Sequence, residues 1–370
     1  MDMRQITRRR FLELSVVGAT GLAATGVVRA RTAGGQSEPT PASPMSTKRL
    51  ERFAESIVSG GPPKDGIPAI DDPRFVPAED MDYLLKPEDR VFVLHYRQEV
   101  RVYPQLVLVW HEIVNDRVAG EQLSVTYCPL TGSAIAFKGR APDGAPLTFG
   151  TSGKLVNSNL LMYDRQTDSQ WPQMLGQAIS GSLGGTILEE IPLSWTTWER
   201  WKAQGVSAPV LSAETGHLRG YGEDPYGAYA GSNQGYYGNA DLIFPVLDEN
   251  DRFEPKEVVI GVKVGEDRLA IPKEAALQKD AWNLTLANQP LVALRDPALE
   301  SVGVFSRQLG NQTFSFEGRD GDSLQDQDGG VWHQVGPVLE GPGGERLPSA
   351  TFYDAMWFAW YAFFPHTQIA

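Results

Sequence analysis

Through most of the chain, apolar and polar residues alternate with a period close to two, in short runs broken by Gly and Pro. That alternation predicts strands over 91–95, 99–103, 122–127, 133–138, 146–150, 159–164 and 186–190. Helical spacing is confined to 48–58, 104–111, 194–203, 273–280 and 352–361, and the 194–203 and 352–361 segments carry Trp on the side expected to be buried. The fold class that follows is predominantly β with minor α, an α+β arrangement.

The pattern also repeats. Residues 89–104 (DRVFVLHYRQEVRVYP) and 257–272 (EVVIGVKVGEDRLAIP) both read as two alternating strands about a charged turn, ending in Pro. At the same offset of 168, residues 123–137 align with 291–305. Trp171–Gly185 then aligns with Trp332–Gly344, and aromatic segments at 195–201 and 352–364 close the two copies. Two copies are too few for an open solenoid, which needs about three or more. The expected architecture is therefore an internal duplication: two similar β-rich units, 48–203 and 256–370, packed as a pseudo-symmetric pair. An irregular connector, 204–255, rich in Gly, Tyr and Asp, joins them.

The N-terminus changes the picture of where the protein works. Thr7-Arg8-Arg9-Arg10-Phe11-Leu12 precedes a small-residue apolar stretch from Leu14 to Val28, and Val28-Arg29-Ala30 offers a cleavage site. Residues 1–30 thus resemble a twin-arginine export signal, which places the mature protein in the periplasm or outside the cell. Residues 31–47, mostly Gly, Ser, Thr and Pro, read as a flexible linker. Removing the signal takes the formal charge from −13 to −16. A chain so acidic, with a pI near 4.9, is not built to bind nucleic acid. Past the signal, no apolar run is long enough for a transmembrane helix. One cysteine among 370 residues excludes an internal disulfide and a zinc ribbon.

The duplication acts as an internal control, since scaffold positions recur while a one-sided site does not. Cys128 faces Asp296 in the alignment, and His111 faces Lys279. Cys128 ends a strand and is followed by Pro129 and Gly132, a setting in which free backbone N–H groups stabilise a thiolate. The alternative is a buried thiol that behaves as a small apolar residue. His111 and Glu112 stand at a helix–strand junction. A hairpin of 113–118 and 122–127 places His111 and Cys128 together at its open end, on one face if the register holds. The candidate set is Cys128 as catalytic thiol, with His111, Glu112 and Cys128 as metal ligands suited to copper, iron or zinc. Asn157, Ser158, Asn159, Tyr163, Asp164 and Arg165 form a polar candidate ligand-binding segment.

WHEIVND (110–116) and TYCPLTGSAIAF (126–137) belong to a larger set of long motifs. The others are GGPPKDGIPAIDDPRF (60–75), GTSGKLVNSNLLMYDRQTDSQW (150–171) and WFAWYAFFP (357–365). With these the chain resembles the family catalogued as domain of unknown function 3179 over roughly 55–368. The resemblance implies an exported or membrane-associated microbial protein and no assigned activity. Many relatives carry a second cysteine where this chain has Thr131, so a dithiol or Cys-Pro-Leu-Cys metal site is reduced here to one sulfur.

Two functions compete on this reading. One is a metal- or thiol-dependent redox protein centred on Cys128 and His111. The other is a non-catalytic module binding a small-molecule or envelope ligand, a glycan or peptide, with exposed aromatics among Trp195, Trp198, Trp201 and the tyrosines of 221–237. A hydrolase using Asp65, Glu112 or Asp164 ranks below both, because no spacing brings the carboxylates together.

Overall fold

Two runs of elements with the same order dominate the chain, seen here in a computed structural model that describes residues 40–229, 234–320 and 323–370. The export signal and residues 31–39 lie outside the described residues. The first run is Arg90–Tyr96, Glu99–Pro104, the short helix Gln105–Leu108, then Ile113–Val118, Glu121–Cys128 and Ser133–Lys138. The second is Val258–Val264, Asp267–Pro272, the helix Lys273–Leu277, then Ala281–Leu286, Gln289–Asp296 and Ser301–Ser306. Strand registers correspond as well: Val91 pairs with Pro104 and Val259 with Pro272, while Cys128 pairs with Ser133 and Asp296 with Ser301. In both runs Pro ends a strand with φ near −60° immediately before the helix, because its ring fixes the φ a first helical turn requires.

Each leading strand takes a second antiparallel partner from far along the chain. Ser194–Thr197 lies on Arg90–Tyr96, and Thr351–Met356 lies on Val258–Val264. Both partners then turn directly into aromatic helices, Trp198–Ala203 and Trp357–Phe363. The sequence expectation of helix over 194–203 and 352–361 is therefore corrected at its first half. Thr196, Thr197, Phe352 and Tyr353 are β-branched or aromatic and fit a pleated surface. Thr197 also ends the first strand by capping the helix, its hydroxyl accepting from the Arg200 N–H at 3.4 Å.

Strands cover 43% of the chain and helices 12%, in several small sheets, so the class is mostly β. The largest core cluster draws on both runs, with Phe137, Trp171 and Met174 against Val259, Tyr353 and Trp360. Gly261 is required there, since a Cβ at that position would lie 2.1 Å from the Trp360 ring. A buried ion pair reinforces the contact: Lys263 Nζ meets Glu190 Oε1 at 2.6 Å and donates to Met174 O at 2.8 Å. Burial pulls Lys263 down and Glu190 up from their usual values, opposed in each by the partner.

The 204–255 stretch is largely irregular, and it packs against its neighbours. Tyr236 and Tyr237 are buried, and Tyr236 donates to Leu130 O at 2.8 Å. Residues 40–46, the described part of the expected linker, are also held in place. Ser43 N–H donates to Gly265 O at 2.7 Å, and Met45 N–H to the Gln177 side chain at 2.9 Å. Among the described residues no helix is long and apolar enough to cross a membrane.

Candidate functional site

The hairpin of Ile113–Val118 and Glu121–Cys128 forms with Ile113 opposite Thr126, the register the sequence suggests. Its open end departs from the expected geometry at one residue. Glu112 has φ +58°, a left-handed conformation that costs a non-glycine residue about 1 kcal/mol. Its N–H donates to Leu108 O at 2.7 Å and its carbonyl accepts from Tyr127 N–H at 2.8 Å. The bend turns the chain before residue 111 could pair with residue 128.

His111 consequently belongs to different surroundings from Cys128. Its ring is fully buried, with Nδ1 2.7 Å from Pro68 O and Nε2 2.7 Å from the Tyr221 hydroxyl. A carbonyl only accepts, so Nδ1 carries the proton and Nε2 accepts from Tyr221. Burial holds this imidazole down at about 4, and His217 and Arg219 are its charged neighbours. Cys128 is buried elsewhere: its thiol donates to Ser158 O at 3.9 Å and accepts from Leu160 N–H at 3.4 Å. Burial, then Glu112, push the thiol up to about 11, a setting that disfavours the thiolate. No group of three or more His, Cys, Asp or Glu residues is placed to hold a metal among the described residues. His111, Glu112 and Cys128 thus do not form such a group among the described residues.

Glu112 is the unusual group at this end of the hairpin. It is 7% exposed, and its carboxyl has neither a cation nor a hydrogen-bond partner among the described residues. Burial alone raises it to about 8, so it is mostly neutral at pH 7. Tyr226 lies within its electrostatic reach, as it does within that of Cys128.

The polar segment after Val156 is mostly structural. Asn157 and Ser158, at φ +51° and +61°, make the two-residue turn between strands Phe149–Val156 and Asn159–Asp164. Asn157 donates to Ala362 O at 3.2 Å and accepts from Leu247 N–H at 2.9 Å, while Ser158 donates to Phe244 O at 2.7 Å. Asn159 bonds Thr131, Gln173 and Met174. Asp164, with no exposure, accepts from Thr167 and from Trp171 Nε1 at 3.0 Å. The same ring anchor recurs in the second run, where Trp332 Nε1 donates to Asp326 at 2.8 Å. The six residues do not form one site: Asn157 to Asn159 sit at one end of a six-residue strand, about 15–20 Å from Tyr163 and Arg165 at the other.

A cleft does open at the Tyr163 end. Strand Phe149–Val156 bulges between Thr151 and Lys154, with Gly153 at φ +72°. A Cβ on Gly153 would lie 2.1 Å from Pro62 O, so glycine is what lets the 60–64 loop close over the bulge. The half-open space is about 600 Å³ and is lined by Val58, Pro62, Pro63, Lys154, Tyr163 and Gln170 among others. The Tyr163 hydroxyl donates to Asp65 at 2.6 Å, and burial together with that carboxylate pushes the phenol up to about 12. Lys64 Nζ lies 3.7 Å from the Tyr163 ring centre and 2.6 Å from Asp168. Arg165 pairs with Asp71 at 2.5 Å just beyond the Tyr163 end of the strand.

Sequence reasoning named Tyr163 and missed Lys64, Lys154 and Gln170. The signal was present in the Pro62-Pro63 pair and in Gly153, which neither alternation nor helical spacing picks out. Of the aromatic candidates, Trp195, Trp198, Trp201, Tyr221, Tyr236 and Tyr237 are buried, while Tyr226 and Tyr229 are half-buried. Of the proposed general bases, Asp65 serves Tyr163 and Asp164 serves Trp171, so neither stands free beside Glu112. A family model described as Protein of unknown function (DUF3179) matches residues 64–367. No curated protein and no solved structure matches the chain.

Proposed function

The chain belongs to the DUF3179 family of proteins of unknown function, and within it we propose an exported, non-catalytic module that binds an envelope glycan or peptide in the cleft beside Tyr163. The observation that carries this reading is the cleft itself. Its volume of about 600 Å³ falls in the range of small-molecule sites, roughly 300–1,000 Å³, and its mixed lining sets Val58, Pro62 and Pro63 beside the polar side chains of Lys64, Lys154, Tyr163 and Gln170. The redox alternative has less support because Cys128 is a buried thiol and His111 has both ring nitrogens engaged. Export is supported by Arg8-Arg9 and the apolar stretch behind them. Duplication of one unit is supported by the shared order and register of the two runs. On that account the cleft arose in the first copy only.

Calorimetric titration of the mature chain with short envelope glycans and peptides tests the binding reading. Saturable binding is expected, retained in Cys128→Ser and lost in Ser59→Trp, which fills the cleft from an exposed rim position. One metal per chain, lost in Cys128→Ser, would return the redox reading. For export, Lys at both Arg8 and Arg9 should leave precursor in the cytoplasm; unchanged export removes the twin-arginine assignment.

A further inference from the structure

Resting on the cleft as the ligand seat, we propose that its occupant is an acidic saccharide whose carboxylate is held by Lys154 and Lys64. The bulge that shapes the cleft also aims Lys154, the residue at which regular pairing resumes, opposite Leu161. Lys154 is exposed and has no salt-bridge partner among the described residues. The second cation, Lys64, is paired with Asp168, but both side chains are well exposed, at 49% and 72%. An exposed pair of this kind is weak, so Lys64 can divide its contacts between Asp168 and a ligand carboxylate. The cleft lining thus carries two cations against one carboxylate, Asp168, in a chain of formal charge −13.

The remaining walls suit a sugar. Pro62, Pro63 and Val58 offer apolar surface to a ring face, and Gln170 offers a side-chain amide to hydroxyl groups. A peptide adding to a sheet edge needs a run of free backbone groups, and the strand at this rim, Val58–Ser59, has only two residues.

The test titrates the full mature chain with a galacturonate oligomer, the corresponding neutral galactose oligomer, an acidic peptide and inorganic phosphate, each at low and physiological salt. The galacturonate oligomer is expected to bind about tenfold tighter than its neutral counterpart, with the advantage shrinking as salt rises. Lys154→Gln and Lys64→Gln should each weaken it about three- to tenfold and leave the thermal midpoint in place. Equal binding of both oligomers, insensitive to the two lysines and blocked by Ser59→Trp, overturns the acidic class and leaves the cleft reading standing. Equally tight phosphate or acidic-peptide binding overturns the saccharide. Failure of both oligomers and the peptide to bind overturns this inference and the ligand seat together.

Discussion

Replacing Glu112 by Gln should stabilise the protein at neutral pH and change it little near pH 5. The carboxyl has an ordinary value of 4.5 in the unfolded chain and about 8 in the folded one, with no cation to compensate. A folded-state value raised above the unfolded one means that the folded chain binds the extra proton between those limits. Stability from this group is then complete below about pH 4.5 and is lost as the pH rises toward 8. At roughly 1.4 kcal/mol per pH unit, the loss is under about 1 kcal/mol at pH 5, about 3 at pH 7 and on the order of 5 above pH 8. Gln keeps the shape and does not titrate, so the difference between the two chains should grow by those amounts. His111 acts in the opposite sense: held at about 4 against 6.5, its contribution is complete above pH 6.5 and lost as the pH falls toward 4. The natural chain should therefore change little from these two groups between pH 4.5 and 6.5, then weaken above it. Urea unfolding followed by tryptophan fluorescence from pH 5 to 8.5 measures both curves. A Glu112→Gln difference that stays constant across that range would refute the reasoning, because it would mean that Glu112 ionises as easily folded as unfolded.

Other consequences follow from the same geometry. Cys128 should resist aqueous thiol reagents in the native chain and react fully in denaturant; rapid native labelling would contradict a protonated, buried thiol. Gly153→Ala should cost about 1–3 kcal/mol by chemical denaturation, since φ +72° and Pro62 O at 2.1 Å both oppose a side chain, and an unchanged midpoint would argue against the bulge. Asp164→Ala leaves Trp171 Nε1 unpaired in the core and releases the N–H of the exposed turn residue Thr167, and should cost about 1–3 kcal/mol. Asp326→Ala, which releases Trp332 Nε1 and the N–H groups of Asp328 and Gly330, should cost a similar amount, and a negligible loss in either variant would remove the ring anchor.

The hairpins were legible in the sequence because each joins two short runs rich in apolar and β-branched residues about a tight turn, and the leading hairpin of each run ends in Pro, at Pro104 and Pro272. Four features were hidden, each for a physical reason. The strand expected at 146–150 runs from Phe149 to Val156, since Ser152 and Gly153 interrupt its alternation with a bulge. The aromatic runs at 194–203 and 352–361 read as helices throughout, although only a distant partner strand decides that Ser194–Thr197 and Thr351–Met356 are extended. The separation of His111 from Cys128 depends on one backbone angle at Glu112, which no spacing encodes. Strand Asn159–Asp164 is buried on both faces, so its polar residues, which suggest a ligand surface, satisfy the interior instead.

The most direct test of the central claim is backbone hydrogen exchange of the mature chain with and without the galacturonate oligomer. Ligand seated in the cleft should slow exchange over residues 57–64 and 150–170 and leave the Cys128 strand and residues 236–256 unchanged. Protection concentrated at 108–113 and 126–131, around Glu112 and Cys128, would contradict the account and move the site to the buried thiol.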